Sequence, residues 1–483
     1  MLTFTERVYK IFSQLNAIPR ASHHEEKVAD FLCQYAQDLG LEYKRDGENC
    51  VVIRKPATPG HEAAEPIVLL NHMDMVAVGD GSRPFNSLED GIEAYIEDGW
   101  MKANGTSLGA DNGIGLSIAL AVLADDTLVH PAIEVLTTTN EEDGMTGAAN
   151  LSADFIKGRK VINLDSEDYD TITVGAAGAY LQTALIPIDM IEAPEDVTFF
   201  NVSISGGLGG HSGVDINKNR INAIYEICRL LFRFRYIPYH HDRKSETLYI
   251  NSINGGEANA SIPSNCIAVV AVKNEDADEF VLQMEEGFAR ISHKYPDETS
   301  LQMIVEKTDA KNMVMDDEDI AVMIHGLPCG VIRMHDAMPD TVMTSNNIGI
   351  IHTEKNAVFV SCHTRSFDDN EMIETAEGIS RHFQLYGGEV TVIMNTPGWQ
   401  ENTTSDYLSL VDSTFVDVLG FSPRKVAMHF VLEAGYYVQK YPGIEIACIG
   451  PRIVEPHSAK ERVELSTVDN ICKVLIELLK RLS

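Results

Sequence analysis

Positive charge is scarce in this chain. Against 72 Asp and Glu stand 38 Lys and Arg, a formal net charge of −34, and no cluster of basic residues interrupts the deficit. Binding to a phosphate backbone needs such clusters, so nucleic acid is excluded as a partner. Long apolar runs are missing as well. No stretch approaches the ~20 apolar residues of a membrane span, and the amino end lacks the charged, apolar, small-residue order of a secretory signal. These absences predict a cytoplasmic protein with no membrane partner. The eight cysteines, at positions 33, 50, 228, 266, 329, 362, 448 and 472, are scattered. No two are spaced as a thiolate metal knuckle or a redox pair, so they are expected to be reduced and mostly in the core.

What is present is the composition of a globular protein with a sizeable core: 44% hydrophobic and 23% charged residues over 483 positions, enough for two or three domains. Val8, Ile11, Phe12 and Leu15 fall at helical spacing over residues 5–16. Ser22-His23-His24-Glu25 has the Ser-x-x-Glu form of a capping box, opening a helix with Val28, Phe31, Leu32, Tyr35 and Leu39 on one face. Strands are predicted at 50–54, 66–76, 133–139, 160–164 and 444–450, and helices at 114–124 and 466–481.

Acids and histidines gather where these strands stop. Ile67-Val68-Leu69-Leu70 runs into Asn71-His72-Met73-Asp74, the strand 133–139 runs into Glu141-Glu142, 160–164 into Asp165, and 444–450 is followed by His457. A glycine-dense loop, Gly109-Ala110-Asp111-Asn112-Gly113, enters the helix at 114. It matches neither the phosphate-binding loop nor the dinucleotide fingerprint, and its small residues instead let Asp111 approach a common centre. In a doubly wound sheet, ligands bind beyond the carboxyl ends of the strands. One such acid is ordinarily a solvated loop residue. Several at one sheet edge repel each other unless cations neutralise them, which favours a metal site. His72 and Asp74 are two apart, so the carboxylate can receive the second ring N–H of a ligating imidazole.

From about 188 to 396 the texture changes. A strand at Val197–Ser205 leads into Gly206-Gly207-Leu208-Gly209-Gly210-His211-Ser212-Gly213, amphipathic helices are predicted at 219–235 and 276–292, and a strand at Glu389–Met394 precedes Pro397-Gly398. This alternation suits an inserted α+β domain. The predicted organisation is a discontinuous α/β domain of residues 1–187 and 397–483 with an insert of 188–396.

With His72-x-Asp74, Gly109–Gly113, Glu141-Glu142, Asp165, Gly-Gly-His-Ser-Gly at 209–213 and His457 in this order, the chain resembles the co-catalytic zinc peptidases, a clan that includes aminoacylases, carnosinases and bacterial carboxypeptidase G. Within it, the chain looks most like the aminoacyl-histidine dipeptidases, also called cytosol non-specific dipeptidases. The resemblance implies a three-layer αβα catalytic domain with a mixed sheet and an inserted lid that mediates homodimerisation. It implies two zinc ions, with cobalt or manganese as substitutes, one held by His72, Asp111 and Asp165 and the other by Asp111, Glu142 and His457. Glu141 is implied as general base and Asp74 as the partner that orients His72. His211 is implied as an oxyanion donor from the lid of the same or a partner subunit, its alternative being to structure a Gly-rich turn. Arg365, in Ser361-Cys362-His363-Thr364-Arg365-Ser366, is implied to bind a substrate carboxylate, its alternative being a surface salt bridge. Asn259, in Gly255-Gly256-Glu257-Ala258-Asn259, and Gly435, in Leu432-Glu433-Ala434-Gly435, are implied to contact substrate. Two departures stand out: many relatives carry Pro soon after the His-Ser of 457–458, and the segment 428–435 differs from the small-residue version of these dipeptidases.

The implied activity is hydrolysis of unblocked dipeptides, Xaa-His such as β-Ala-His and broader. A deacylase of N-acyl amino acids would use the same metals. A catalytically silent peptide-binding protein is disfavoured because every implied ligand and the base are present.

Overall fold

The apolar runs become buried strands in the computed structural model, which describes residues 2–236, 248–316 and 320–483. Two units form. The first holds the residues up to Gly175 with Gln400–Ala427 and Glu433–Ser483; the second holds Ala176–Trp399 with Met428–Leu432.

The first unit is built on an eight-stranded sheet in the order Glu42–Arg45, Val51–Lys55, Ile133–Thr138, Ile67–His72, Lys160–Asn163, Glu445–Cys448, Thr171–Ala176 and Arg424–Met428. The four middle strands, from Ile133–Thr138 to Glu445–Cys448, are mutually parallel. Ile67–His72 and Ile133–Thr138 are buried at every position, as expected for parallel strands covered on both faces. Helix Ala110–Leu123 packs on both of them and buries every residue except Asp111, which explains why its sequence is apolar all round rather than striped. Helix Phe4–Asn16 presents the expected Val8, Ile11, Phe12 and Leu15 to the core. A smaller antiparallel sheet joins Ile453–Val454, Arg462–Glu464, Trp100–Ala103 and Ala94–Glu97.

In the second unit a nine-stranded antiparallel sheet carries helices Ala223–Tyr236, Ala277–Lys294 and Asp369–Leu385. The core of this unit includes Phe200, Ile224, Ile227, Leu231, Val270, Phe280 and Val360. Here the structure corrects the expected boundaries. The strand Gly178–Pro187, expected in the first domain, pairs with Ala357–Ser366 on one side and with the edge strand Glu389–Thr396 on the other, within the second unit's sheet. The second unit therefore begins at Ala176, ends its main segment at Trp399, and recruits Met428–Leu432. Composition changes at 188, but hydrogen bonding across the sheet begins ten residues earlier.

A second correction concerns Ser22 and Glu25. The helix starts at Glu26 with no side-chain cap. Ser22 Oγ donates to Asp74 Oδ2 at 2.8 Å, and Glu25 Oε1 accepts the Asn140 N–H at 2.8 Å. The capping-box signature thus serves two distant loops instead of its own helix. All eight cysteines are free, and six are buried. Among the described residues no helix is long and apolar enough to cross a membrane.

Candidate metal centre

Parallel register puts the carboxyl ends of the middle strands side by side: His72 stands opposite Thr138, and Leu70 opposite Asn163. The chain leaving each end supplies one group. Three sets of donor atoms lie within 4.8 Å of one another: His72, Asp111 and Asp165; Asp111, Glu142 and His457; and His72, Glu141 and Glu142. Asp111 joins the first two sets. Its Oδ1 is 3.2 Å from His72 Nε2 and its Oδ2 is 3.2 Å from His457 Nε2. Asp165 Oδ1 is 3.2 Å from His72 Nε2, and Glu142 Oε2 is 2.9 Å from His457 Nε2.

The strand expected to run to residue 76 stops at His72. Asp74 nevertheless faces the imidazole, with Oδ1 3.5 Å from His72 Nδ1 and its carbonyl 3.2 Å away. The same carboxylate accepts the Glu141 N–H at Oδ1, 3.1 Å, and the Glu142 N–H at Oδ2, 3.2 Å. One buried acid therefore orients the histidine of one loop and the two glutamates of another. Asn112, whose peptide bond to Asp111 is cis, donates through Nδ2 to Leu164 O at 2.9 Å and to Asp165 Oδ1. Ser22, Glu25 and Asn112 escape a sequence reading because each acts across many residues of separation. The Asn beside Asp111 was the available signal.

Electrostatics follow from the crowding. Burial, with Asp111 beside it, pushes Asp165 up to about 6 despite His72. Burial also drives Glu141 well above the carboxylate range. Hydrogen bonds to Asp111 and Glu142 raise His457, 47% exposed at its side chain, to about 11. Burial opposes the charge on His72, yet Asp165 and Asp111 hold it well above its usual value. This negative potential is one that a divalent cation would share. Glu142 Oε1 is buried without a hydrogen-bond partner among the described residues, and a metal would satisfy it. Carboxylate oxygens with imidazole nitrogens are a suitable donor set for zinc and for manganese or cobalt.

Four further candidates lie elsewhere. Gly435 is buried in the first turn of helix Ala434–Lys440 of the first unit. His211, Asn259 and Arg365 belong to the second unit and gather there. His211 bridges to Ser261, and its Nδ1 accepts the N–H groups of Gly213 and Val214 at 3.2 and 3.1 Å, which leaves Nε2 to carry the ring proton. The turn-structuring use of His211 and a free N–H donor are thus compatible. Asn259 Oδ1 accepts Ser361 Oγ at 2.6 Å. Arg365 is 3% exposed; among the described residues it donates to Ser212 Oγ, at 3.4 Å, and its Nε has no partner. No carboxylate ion-pairs with it among the described residues, so the surface salt bridge is ruled out; burial lowers its pKa to about 10.

A model of peptidase family M20/M25/M40 matches residues 68–481. The cytosol non-specific dipeptidase of Escherichia coli K12 is 32% identical over 479 residues, 98% of this chain and 97% of its own. The aminoacylhistidine dipeptidase of Vibrio alginolyticus superposes with a TM-score of 0.92 at 31% identity, covering 99% of this chain and 96% of that one. A tripeptidase from Staphylococcus aureus, at 16% identity and a TM-score of 0.60 over 99% and 98% of the two chains, shares the fold.

Proposed function

The chain belongs to peptidase family M20/M25/M40, whose members are metal-dependent hydrolases, and from that membership we propose a dipeptidase acting on unblocked dipeptides, Xaa-His such as β-Ala-His and broader. The observation that carries this reading is Asp111, whose Oδ1 lies 3.2 Å from His72 Nε2 and whose Oδ2 lies 3.2 Å from His457 Nε2. A carboxylate so shared suits two cations. His72, Asp111 and Asp165 would hold one zinc, and Asp111, Glu142 and His457 the other, with cobalt or manganese as substitutes. When bound, such ions polarise the peptide carbonyl and lower the pKa of water toward ~7.

The remaining steps belong to side chains. Glu141 takes the proton of the attacking water and returns it to the leaving amine. Its neighbour Glu142 shares a donor set with Asp111 and His457, whereas Glu141 does not. That difference supports assigning one glutamate to proton transfer and the other to the metal. Asp74 fixes His72 and the N–H groups of both glutamates, so it positions rather than reacts. The Nε2–H of His211 would donate to the oxyanion. Arg365 would pair with the substrate's terminal carboxylate, because a buried guanidinium with no counterion among the described residues is suited to forked recognition. Asn259 and Gly435 would line the substrate.

The names of the relatives at 32% and 31% identity support the dipeptide class, and the cytosolic name of the first supports a cytoplasmic location. Homodimerisation through the inserted unit is part of this proposal, and light scattering tests it. The function is tested by metal analysis combined with a panel of β-Ala-His, Gly-Gly and an N-acetyl amino acid. Release of two free amino acids from the unblocked dipeptides is expected. Turnover of the N-acetyl substrate alone would overturn the dipeptidase in favour of a deacylase.

A further inference from the structure

Glu461 lies four residues beyond His457, at the foot of the hairpin whose strands Ile453–Val454 and Arg462–Glu464 bracket that histidine. Its side chain turns to a different loop. Oε2 accepts the N–H groups of Leu108 and Gly109 at 2.8 and 2.9 Å, and Oε1 accepts those of Ala110 and Asp111 at 2.7 and 3.2 Å. Four consecutive backbone donors thus converge on one carboxylate that is 2% exposed. Three of them, Gly109 to Asp111, are the cap and first residues of helix Ala110–Leu123, where N–H groups have no partner within the helix.

A second buried charge grips the same loop by a carbonyl. Arg20 Nη2 donates to Gly109 O at 2.6 Å, while its Nη1 donates to Met73 O and Asp74 O at 3.1 and 3.0 Å, just past His72. The fit is close: a Cβ added at Gly109 would lie 2.5 Å from Arg20 Nη2, and at that residue φ is +66°. Glycine suits that backbone conformation, and a Cβ there would displace the Arg20 guanidinium.

We propose that Glu461 is a positioning residue that builds Asp111 and His457 into one unit, so that both metal positions depend on its grip. The inference rests on the ligand sets proposed above. Because Asp111 belongs to both sets, its placement governs both ions. Because Glu461 is tethered four residues from His457, its grip on the Asp111 loop also fixes that histidine's hairpin. The clamp uses only backbone N–H groups and leaves both Asp111 oxygens facing the histidines, so it holds the loop before any ion arrives. A preordered loop spares binding the entropy of ordering it.

The test is Glu461→Gln, which keeps the volume but removes charge and acceptor capacity, measured by chelator competition on protein whose fold is checked by circular dichroism. Affinity for both ions is expected to fall together by about 10–100-fold, the usual range for residues that support metal ligands. Glu142→Ala, measured alongside, should weaken one ion. A folded Glu461→Gln protein that binds both ions as wild type does, or loses only one, overturns the inference. If the variant does not fold, hydrogen exchange on wild-type protein decides. The amides of 108–111 are expected to exchange slowly after the metal is stripped; fast exchange that slows only on reloading overturns the proposal. Wild-type protein that takes up no metal overturns the ligand sets and this inference with them, which separates the two failures.

Discussion

The two units each bury an unbalanced charge, and the signs are opposite. At the strand ends of the first, Asp74, Asp111, Glu141, Glu142 and Asp165 crowd around two imidazoles. In the second, Arg365 is buried near His211, His363 and His429 with no carboxylate paired to it among the described residues. Burying a charge without its partner costs several kcal/mol, so neither arrangement is accounted for by stability of the fold. On the proposed reading each is the complement of something bound, cations for the acidic cluster and a carboxylate for the guanidinium, and the two places should respond differently to mutation.

The largest contrast is within the acidic cluster. Glu141→Gln should cut kcat by about 10²–10⁴-fold or more while metal content stays near that of wild type, because the base is lost and the ligands remain. Wild-type turnover in that variant would remove Glu141 from proton transfer. Glu142→Ala should instead lower metal occupancy, read by elemental analysis after dialysis, and full occupancy would mean the neighbouring glutamates have exchanged roles. The cationic patch should show neither effect. Arg365→Ala should leave metal content alone and raise KM for free dipeptides about tenfold to hundredfold, the scale of charge-assisted hydrogen bonds, with C-terminally amidated dipeptides unaffected. Equal effects on both substrates would erase the proposed difference between the units.

A separate prediction concerns the acid stability of the second unit. Burial, with Arg365 adding to it, lowers His363 and His429 to about 3 from an ordinary 6.5. The unfolded chain therefore takes up protons first as pH falls, and stability drops between about 6.5 and 3, by at most about 1.4 kcal/mol per pH unit for each histidine. His429→Asn should flatten that slope in denaturant titrations followed across the window. An unchanged slope would mean that His429 is protonated in the folded protein.

Much of the first region was legible because its logic is local and repeated. The buried strands Ile67–His72, Ile133–Thr138 and Lys160–Asn163 are apolar runs with an acid or histidine at or just past their ends, and Asp111 and His457 follow in glycine-rich and late loops, so the order of His72, Asp111, Glu142, Asp165 and His457 can be read along the chain. What could not be read is long-range. Ser22-x-x-Glu25 has the local form of a helix cap, yet Ser22 is spent on Asp74 and Glu25 on Asn140. Arg20 and Glu461 look like ordinary surface charges until the fold brings the Gly109 loop against them. The strand Gly178–Pro187 carries no mark of which unit it joins, because its partners lie some 170 to 210 residues further along the chain. Arg365 was identifiable only by resemblance. Its lack of a paired carboxylate among the described residues emerges only from the folded surroundings.

The central claim is that one carboxylate, Asp111, serves both cations. Elemental analysis of wild type, Asp165→Ala and Asp111→Ala, each loaded with zinc and dialysed, tests it directly. The account predicts about two ions per chain in wild type, about one in Asp165→Ala and none in Asp111→Ala. An Asp111→Ala protein that still retains one ion would contradict it.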